Sequence, residues 1–453
     1  MVAFYLRFAV VLPLKSKTLY LLLFFISLLF TVVPVSAGER NVEGKDADES
    51  LKPPEDRWKL DAGGQVRVRG DFGWNQNFTD FNFTPGHREA QFLERTRLQA
   101  AIENPALGLK GFAQVQWYGR WGEVDDRSAF DLYQGYIEWE KILGSPVSLK
   151  AGRQEFSYGS AFFIGPNDFY NGLSWDGLKA SINPVGQLDI DILGVKMVKL
   201  NPGDPDIYLA GLYAAYKVFK EGSLDGYLFY NKGGFPFSHR EFVLIDSGQK
   251  WFTLGTRFAG KAGGFDFELE PQFQWGKVKR TIGDGKDLVR AYGGHLDLGY
   301  TFKLPWEPRI YGAYAYGSGD NNPFDGTYRE FHGNIFNDSY LVGDMSVITD
   351  LSGVTVKNIH ASGMQVWVVG ISLTPLSDLN LTLRAHRFIS NKVPSGFSKD
   401  LGLELDSAIS YKLTKGISFL VGLDKFYTGH FFEQATGSKR NIDYIYIQGQ
   451  VEF

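Results

Sequence analysis

The sequence predicts an all-β protein: a transmembrane, antiparallel, up-and-down β-barrel of about eighteen strands, with short periplasmic turns and long extracellular loops. Three observations carry that expectation. The 453 residues include 37 Phe, 23 Tyr, 10 Trp and 53 Gly but no Cys, at a mean hydropathy of −0.18. That composition excludes a polytopic helical membrane protein, a disulfide scaffold and a thiolate zinc site. Beyond residue 58, runs of about ten residues alternate apolar and polar, and no long stretch holds a helical period. The connections between these runs alternate short and long, which a soluble sandwich has no reason to do.

The N-terminus comes first. Arg7, Lys15 and Lys17 precede an apolar run from Leu19 to Val35, and Val35-Ser36-Ala37 reads as a small-residue cleavage site before Gly38. Residues 1–37 are therefore expected to be a signal peptide, whose removal takes three positive charges from a chain of net charge −4. Residues 38–57 are polar with a Pro pair and are expected to form a flexible periplasmic leader. The barrel is expected to fill 58–453. So balanced a charge excludes a nucleic-acid binder.

Eighteen strands follow in order. The first nine are expected at 59–74, 90–103, 108–119, 130–141, 146–156, 172–183, 187–197, 205–218 and 223–232. The second nine are expected at 250–260, 263–277, 287–303, 307–319, 362–375, 379–390, 400–412, 416–428 and 440–453. In the first, Val66, Val68 and Phe72 share one face, with Arg67, Arg69 and Asp71 on the other. In the second, Leu98, Ala100 and Ile102 oppose Arg95, Arg97, Gln99 and Glu103. Short turns hold Asn104-Pro105, Gly144-Ser145-Pro146, Lys220-Glu221-Gly222 and Lys415-Gly416, whereas long loops span 233–249 and 320–361. In the last strand, Ile445, Ile447, Gly449, Val451 and Phe453 face lipid, and Tyr444, Tyr446, Gln448, Gln450 and Glu452 face the lumen. A terminal Phe on an alternating strand is similar to the signal that outer-membrane barrels present to the barrel-assembly machinery. Gram-negative outer-membrane localisation and lipid contact follow, with closure removing the sheet edges that lipid forbids.

No Walker A loop, HExxH or GxSxG elbow occurs, and the seven His are scattered. The protein is thus not expected to be an enzyme, although His386 and Asp406 can be posed as an acid–base pair and an outer-membrane barrel enzyme or adhesin is a third reading. No cofactor is implied. Asp320, Asn322 and Asp325 form a weak calcium candidate without EF-hand spacing. The informative residues are charges on the polar strand faces. Arg67, Arg69, Arg95, Arg97, Lys110, Arg120, Lys150 and Arg384 fall there, together with Glu404 and Asp406. Rings of Arg and Lys line anion pores, and the same residues in Arg–Glu ladders brace a porin wall without selecting anything. Both readings stand.

Several stretches in order carry a family resemblance. They are Ala151-Gly152-Arg153-Gln154 with Tyr158-Gly159, Gly165-Pro166-Asn167-Asp168, and Trp175-Asp176-Gly177. Tyr316-Gly317-Ser318-Gly319-Asp320, Ala385-His386-Arg387-Phe388 and Gly402-Leu403-Glu404-Leu405-Asp406 complete the set. Together they resemble the alginate export family of outer-membrane barrels. The resemblance implies eighteen strands and an electropositive, Arg-rich conduit for a uronic-acid polysaccharide. It places the conduit role on Arg95, Arg97, Arg153, Lys179 and Arg384. Alternation puts Arg153 on the lipid face, so its lumenal role requires a bulge near Gly152. All the periplasmic turns are short, including 413–416, where a polymer exporter is expected to carry an extended segment guarding the pore. A general or small-anion porin of the same fold is equally compatible.

Overall fold

The computed structural model describes residues 58–78, 82–122, 127–199, 206–233, 249–279, 285–322, 324–333 and 340–453. The expected signal peptide and leader, and most of the 233–249 loop, lie outside the described residues.

Every described strand pairs into one sheet. The first half of the wall is β1 (Lys59–Gln76), β2 (Phe83–Asn104), β3 (Leu109–Gly122), β4 (Arg127–Trp139), β5 (Val147–Gln154), β6 (Trp175–Val185), β7 (Leu188–Met197), β8 (Tyr208–Phe219) and β9 (Gly222–Lys232). The second half begins with β10 (Lys250–Ala262), β11 (Phe265–Lys279), β12 (Lys286–Thr301) and β13 (Arg309–Gly317). Two short pieces, β14 (Thr327–Tyr328) and β15 (Gly353–Val356), lie in the long connection that follows. The wall resumes with β16 (Ile359–Leu376), β17 (Leu379–Lys392), β18 (Asp400–Thr414), β19 (Ile417–Thr428) and β20 (Ile442–Glu452). Setting β14 and β15 aside, eighteen strands pair antiparallel with their neighbours, and β20 returns to β1. The barrel is closed, and each of the eighteen expected strands is present.

Alternation decides what each strand shows. In β10, Phe252, Leu254 and Phe258 are exposed while Trp251 and Thr253 are buried. In β20, Ile447 and Val451 point outward and Tyr444 and Tyr446 inward. The same outward row recurs around the wall in Leu98, Ile137, Leu178, Leu212, Leu296 and Leu383. An apolar belt of this extent is tolerated only against lipid.

The seam closes at the end of the chain. Gln65 pairs with Glu452 and Trp74 with Asp443. The Gly64 amide donates to the Phe453 carbonyl at 2.8 Å, and the Phe453 amide donates back to Gly64 at 3.0 Å. Any side chain at residue 64 would meet the Phe453 ring, since a Cβ there lies 2.6 Å from Cζ.

At the end that holds both ends of the described chain, every connection is of two to seven residues. At the other end, two long connections turn into the lumen instead of outward. Residues 155–174 bury Phe156, Phe162, Phe163, Ile164 and Leu173, and residues 318–358 bury Leu341, Val342, Met345, Ile348 and Leu351. The lumen is therefore not polar throughout, as alternation alone suggests. Apolar side chains from these two segments pack against inward-facing residues of the wall.

Candidate functional site

The site begins with two adjacent strands. Arg67 on β1 stands directly across from Arg95 on β2, and Gln65 stands across from Arg97. Period-two geometry sends all three guanidiniums to the lumenal face. Three like charges so close need an anion, and residues 165–172 of the first inward segment supply it.

The Asp168 carboxylate receives all three. Arg67 reaches it at 3.2 Å, Arg97 at 3.4 Å, and Arg95 makes the closest contact. The segment's backbone is held as well. Arg67 donates to the carbonyls of Asp168, Phe169 and Tyr170 at 2.7, 2.8 and 3.0 Å. Gln116 donates to the Asn171 carbonyl at 2.8 Å, and Arg97 to the same carbonyl at 3.3 Å. Gly172 permits this approach: its φ is +79°, and a Cβ there would sit 2.3 Å from the Tyr133 hydroxyl. Burial opposes the Asp168 charge, but Arg95, Arg67 and Arg97 together hold its carboxyl below the usual carboxylate range. Arg97 also lies over the Tyr133 ring, 3.7 Å from its centroid. Beside this group, Arg69 pairs with Asp71 at 2.7 Å and lies over the Tyr446 ring at 4.0 Å.

Towards the periplasmic mouth, a cavity of about 620 Å³ opens against Arg97. Gln65, Gln99, Gln114, Lys415 and Glu452 line it, so amide donors and acceptors surround the one arginine that belongs to both the cavity and the cluster.

The other sequence-derived candidates divide into three groups. Lys110, Lys150 and Lys179 pair with Glu103, Glu138 and Asp191 near the periplasmic ends of their strands. Cross-strand register sets Glu103, Lys110, Glu138, Lys150 and Lys179 in one row over β2 to β6, and this is a bracing ladder. At the opposite end, Arg120 donates to the Phe78 carbonyl at 2.6 Å. Arg384, Glu404 and Asp406 form a second cluster with His386 and Asp424. There Arg384 binds Asp344 of the second inward segment, Glu404 accepts from the Met345 amide at 3.0 Å, and His386 Nδ1 lies 3.0 Å from Asp406.

Two expectations are corrected. The register of β5 runs unbroken through Gly152 against both neighbours, so no bulge turns Arg153 inward. It stays on the outward row with Leu149 and Ala151 and pairs with Asp176 at 2.8 Å. The calcium candidate also fails. Arg329 reaches Asp325 at 2.9 Å and Asp320 at 3.5 Å, so a guanidinium occupies the position a cation would take. Asp320, Asn322 and Asp325 each spend a side-chain oxygen on a backbone amide two residues ahead.

Asp168 was absent from the charged set read by alternation, because it lies outside any strand. So was Asp344, for the same reason. Only the ordered stretch Gly165-Pro166-Asn167-Asp168 pointed to the first.

Comparison with known proteins agrees with this architecture. The family model described as alginate export matches residues 59–444. The chain belongs to the alginate export family. No curated protein sequence matches it. Among solved structures it resembles Pseudomonas aeruginosa OpdL at a TM-score of 0.57 and 12% identity, over 87% of this chain and 98% of that one. It resembles P. aeruginosa OccK2 (OpdF), solved in complex with glucuronate, at 0.56 and 13%, over the same shares. P. aeruginosa OprD matches at 0.52 and 11%, over 87% and 95%. At these identities the likeness is one of fold. Family and fold together make this alginate-export-family member an outer-membrane channel.

Proposed function

We propose that the barrel is a passive channel for anionic saccharides, and that Arg67, Arg95 and Arg97 are the groups that pass them. One observation carries the reading: three lumenal guanidiniums converge on a single carboxylate of a loop. Asp168 occupies the position a uronate carboxylate would take, and a charged saccharide would displace it by offering the same bidentate acceptor. The cavity at Arg97, lined by Gln65, Gln99 and Gln114, supplies partners for sugar hydroxyls next to that position. The glucuronate bound to OccK2 supports the substrate class.

Arg120 contributes positive potential along the path, Arg69 and Arg384 are held by Asp71 and Asp344, and the Lys ladder braces the wall. The exposed Phe453 ring suits docking to the barrel-assembly machinery. A second reading, a small-anion or general porin, is favoured by the two inward segments, which narrow the lumen.

Planar-bilayer recording tests both. The expected result is a reversal potential showing anion preference, together with block by oligouronates added to the periplasmic side. Cation preference would sink the proposal. Anion preference without oligouronate block would favour the small-anion porin.

A further inference from the structure

We infer that the outward wall of β9 to β12, at the end away from the short turns, binds a bis-phosphorylated lipid of the outer leaflet.

Alternation builds the surface. Lys232 ends β9, Lys250 opens β10, Lys277 and Lys279 end β11, and Lys286 and Arg290 lie at the start of β12, all of them exposed. Each shares its row with side chains that face lipid. Lys250 lies in line with Phe252 and Leu254, Lys277 with Phe273 and Trp275, and Arg290 with Leu288 and Tyr292. Among the described residues, no Asp or Glu stands on these four outward rows.

Register brings the cations together. Lys250 stands directly across from Lys232 on one side and from Lys277 on the other, and Lys279 stands across from Lys286. Neighbouring strands lie about 4.8 Å apart, and like charges placed directly opposite destabilise a sheet. Asp287 does not relieve them, because it is buried on the inward face. Elsewhere at this end of the barrel the wall supplies its own acids. Arg387 pairs with Asp400 at 2.8 Å, Lys425 with Asp443 at 2.7 Å, and Lys196 with Asp206 at 2.8 Å. On β9 to β12 the compensating anion has to come from outside the chain.

The level of the row says which anion is available. Two residues further into the wall, Phe252 stands across from Tyr230 and Trp275. Its ring lies 5.0 Å from that of Tyr230 and 5.3 Å from that of Trp275. Such aromatic girdles mark the boundary between hydrocarbon and headgroups. Two residues rise about 6.8 Å along a strand, which sets Lys232, Lys250 and Lys277 among the headgroups, where phosphate is the anion. Lys232 and Lys277 are two strand spacings apart, about 10 Å, and Lys286 lies one spacing further. One phosphate does not bridge that width; two on one headgroup do. Below the cations, the exposed Phe252, Leu254 and Phe273 offer acyl chains a surface that a soluble phosphate could not use.

The test uses the full barrel purified in detergent, with folding verified by heat-modifiable migration. Native mass spectrometry titrates it with bis-phosphorylated lipid A, mono-phosphorylated lipid A, phosphatidylethanolamine and inorganic pyrophosphate. Bis-phosphorylated lipid A is expected to bind tightest, and added salt to weaken it. From the usual worth of one cation at a membrane surface, Lys250→Gln should weaken it roughly fivefold. Lys250→Gln combined with Lys232→Gln and Lys277→Gln should weaken it roughly 100-fold. Lys425→Gln, whose lysine already has its acid, should bind as the parent does. Should the triple variant fail to fold, Lys250→Gln decides. Binding unchanged in Lys250→Gln, an equal loss in Lys425→Gln, or equal affinity for any of the other three probes would each overturn the inference.

Discussion

The barrel grips its two inward segments in opposite ways. On β1 and β2, three arginines hold one carboxylate, and the Asp168 side chain remains 47% exposed. On β17 to β19, carboxylates crowd around one arginine, and Glu404 and Asp406 are 0% and 2% exposed. The first arrangement offers its cations to anything that can replace a half-solvated acid. The second is closed: Arg384 and the Met345 amide are already committed, and water does not reach Glu404 or Asp406. The difference separates a site from a latch. The same residue types, placed on the same lumenal face, act differently according to whether the partner they hold can leave.

The largest effect expected from that contrast is on the latch. Arg384→Ala removes the cation that faces Asp344 and Asp406. Stranding those acids should cost about 3–5 kcal/mol, read as a lower urea midpoint for unfolding of the barrel in detergent. A midpoint within experimental scatter of the parent would show that the cluster is not a latch. Next comes Arg95→Ala. Arg95 is 1% exposed, and its charged hydrogen bonds should each be worth about 1.5–3 kcal/mol. Oligouronate block should weaken by roughly tenfold or more, and anion preference should fall.

Asp168→Asn is expected to act in the opposite direction. It leaves the three arginines without their resident anion, so block should strengthen several-fold. Equal weakening in both variants would mean that the segment is only structural. Protonation offers a milder version of the same change. Because the Asp168 carboxyl is held below its ordinary value, its grip is complete above pH ~4 and is lost only as pH falls through the depressed value. Anion conductance should therefore stay level from neutral pH down to about 4 and change only below that. A transition between pH 5 and 7 would point to a different gate. The smallest effect belongs to the ladder. Lys110→Gln, in a half-exposed pair, should change stability by about 0–1 kcal/mol and leave the reversal potential untouched.

Local pattern made the wall legible and left its contents hidden. The strand expected at 172–183 is Trp175–Val185, and the one expected at 187–197 is Leu188–Met197, because alternation and turn residues are local signals. Alternation also placed Arg67, Arg95 and Arg97 on the lumenal face. It carried no information on what meets them, since Arg67 and Asp168 are 101 residues apart. Arg153 shows the converse error. Family resemblance suggested a lumenal role, but the unbroken register of β5 kept the side chain outside.

The seam between β1 and β20 sets a timetable for assembly. Strands joined at the periplasmic end meet across turns of two to seven residues, but Gln65 and Glu452 meet across 387. Closing a ring of that size costs roughly 4 kcal/mol more chain entropy than closing a hairpin, about six doublings of loop length. Hairpins therefore form first and the seam forms last. Until it does, β1 and β20 present two bare ribbons of amide and carbonyl groups, each a template for a foreign strand. The Gly64–Phe453 bonds are what finally withdraw that invitation, and a nascent barrel must be chaperoned until they form.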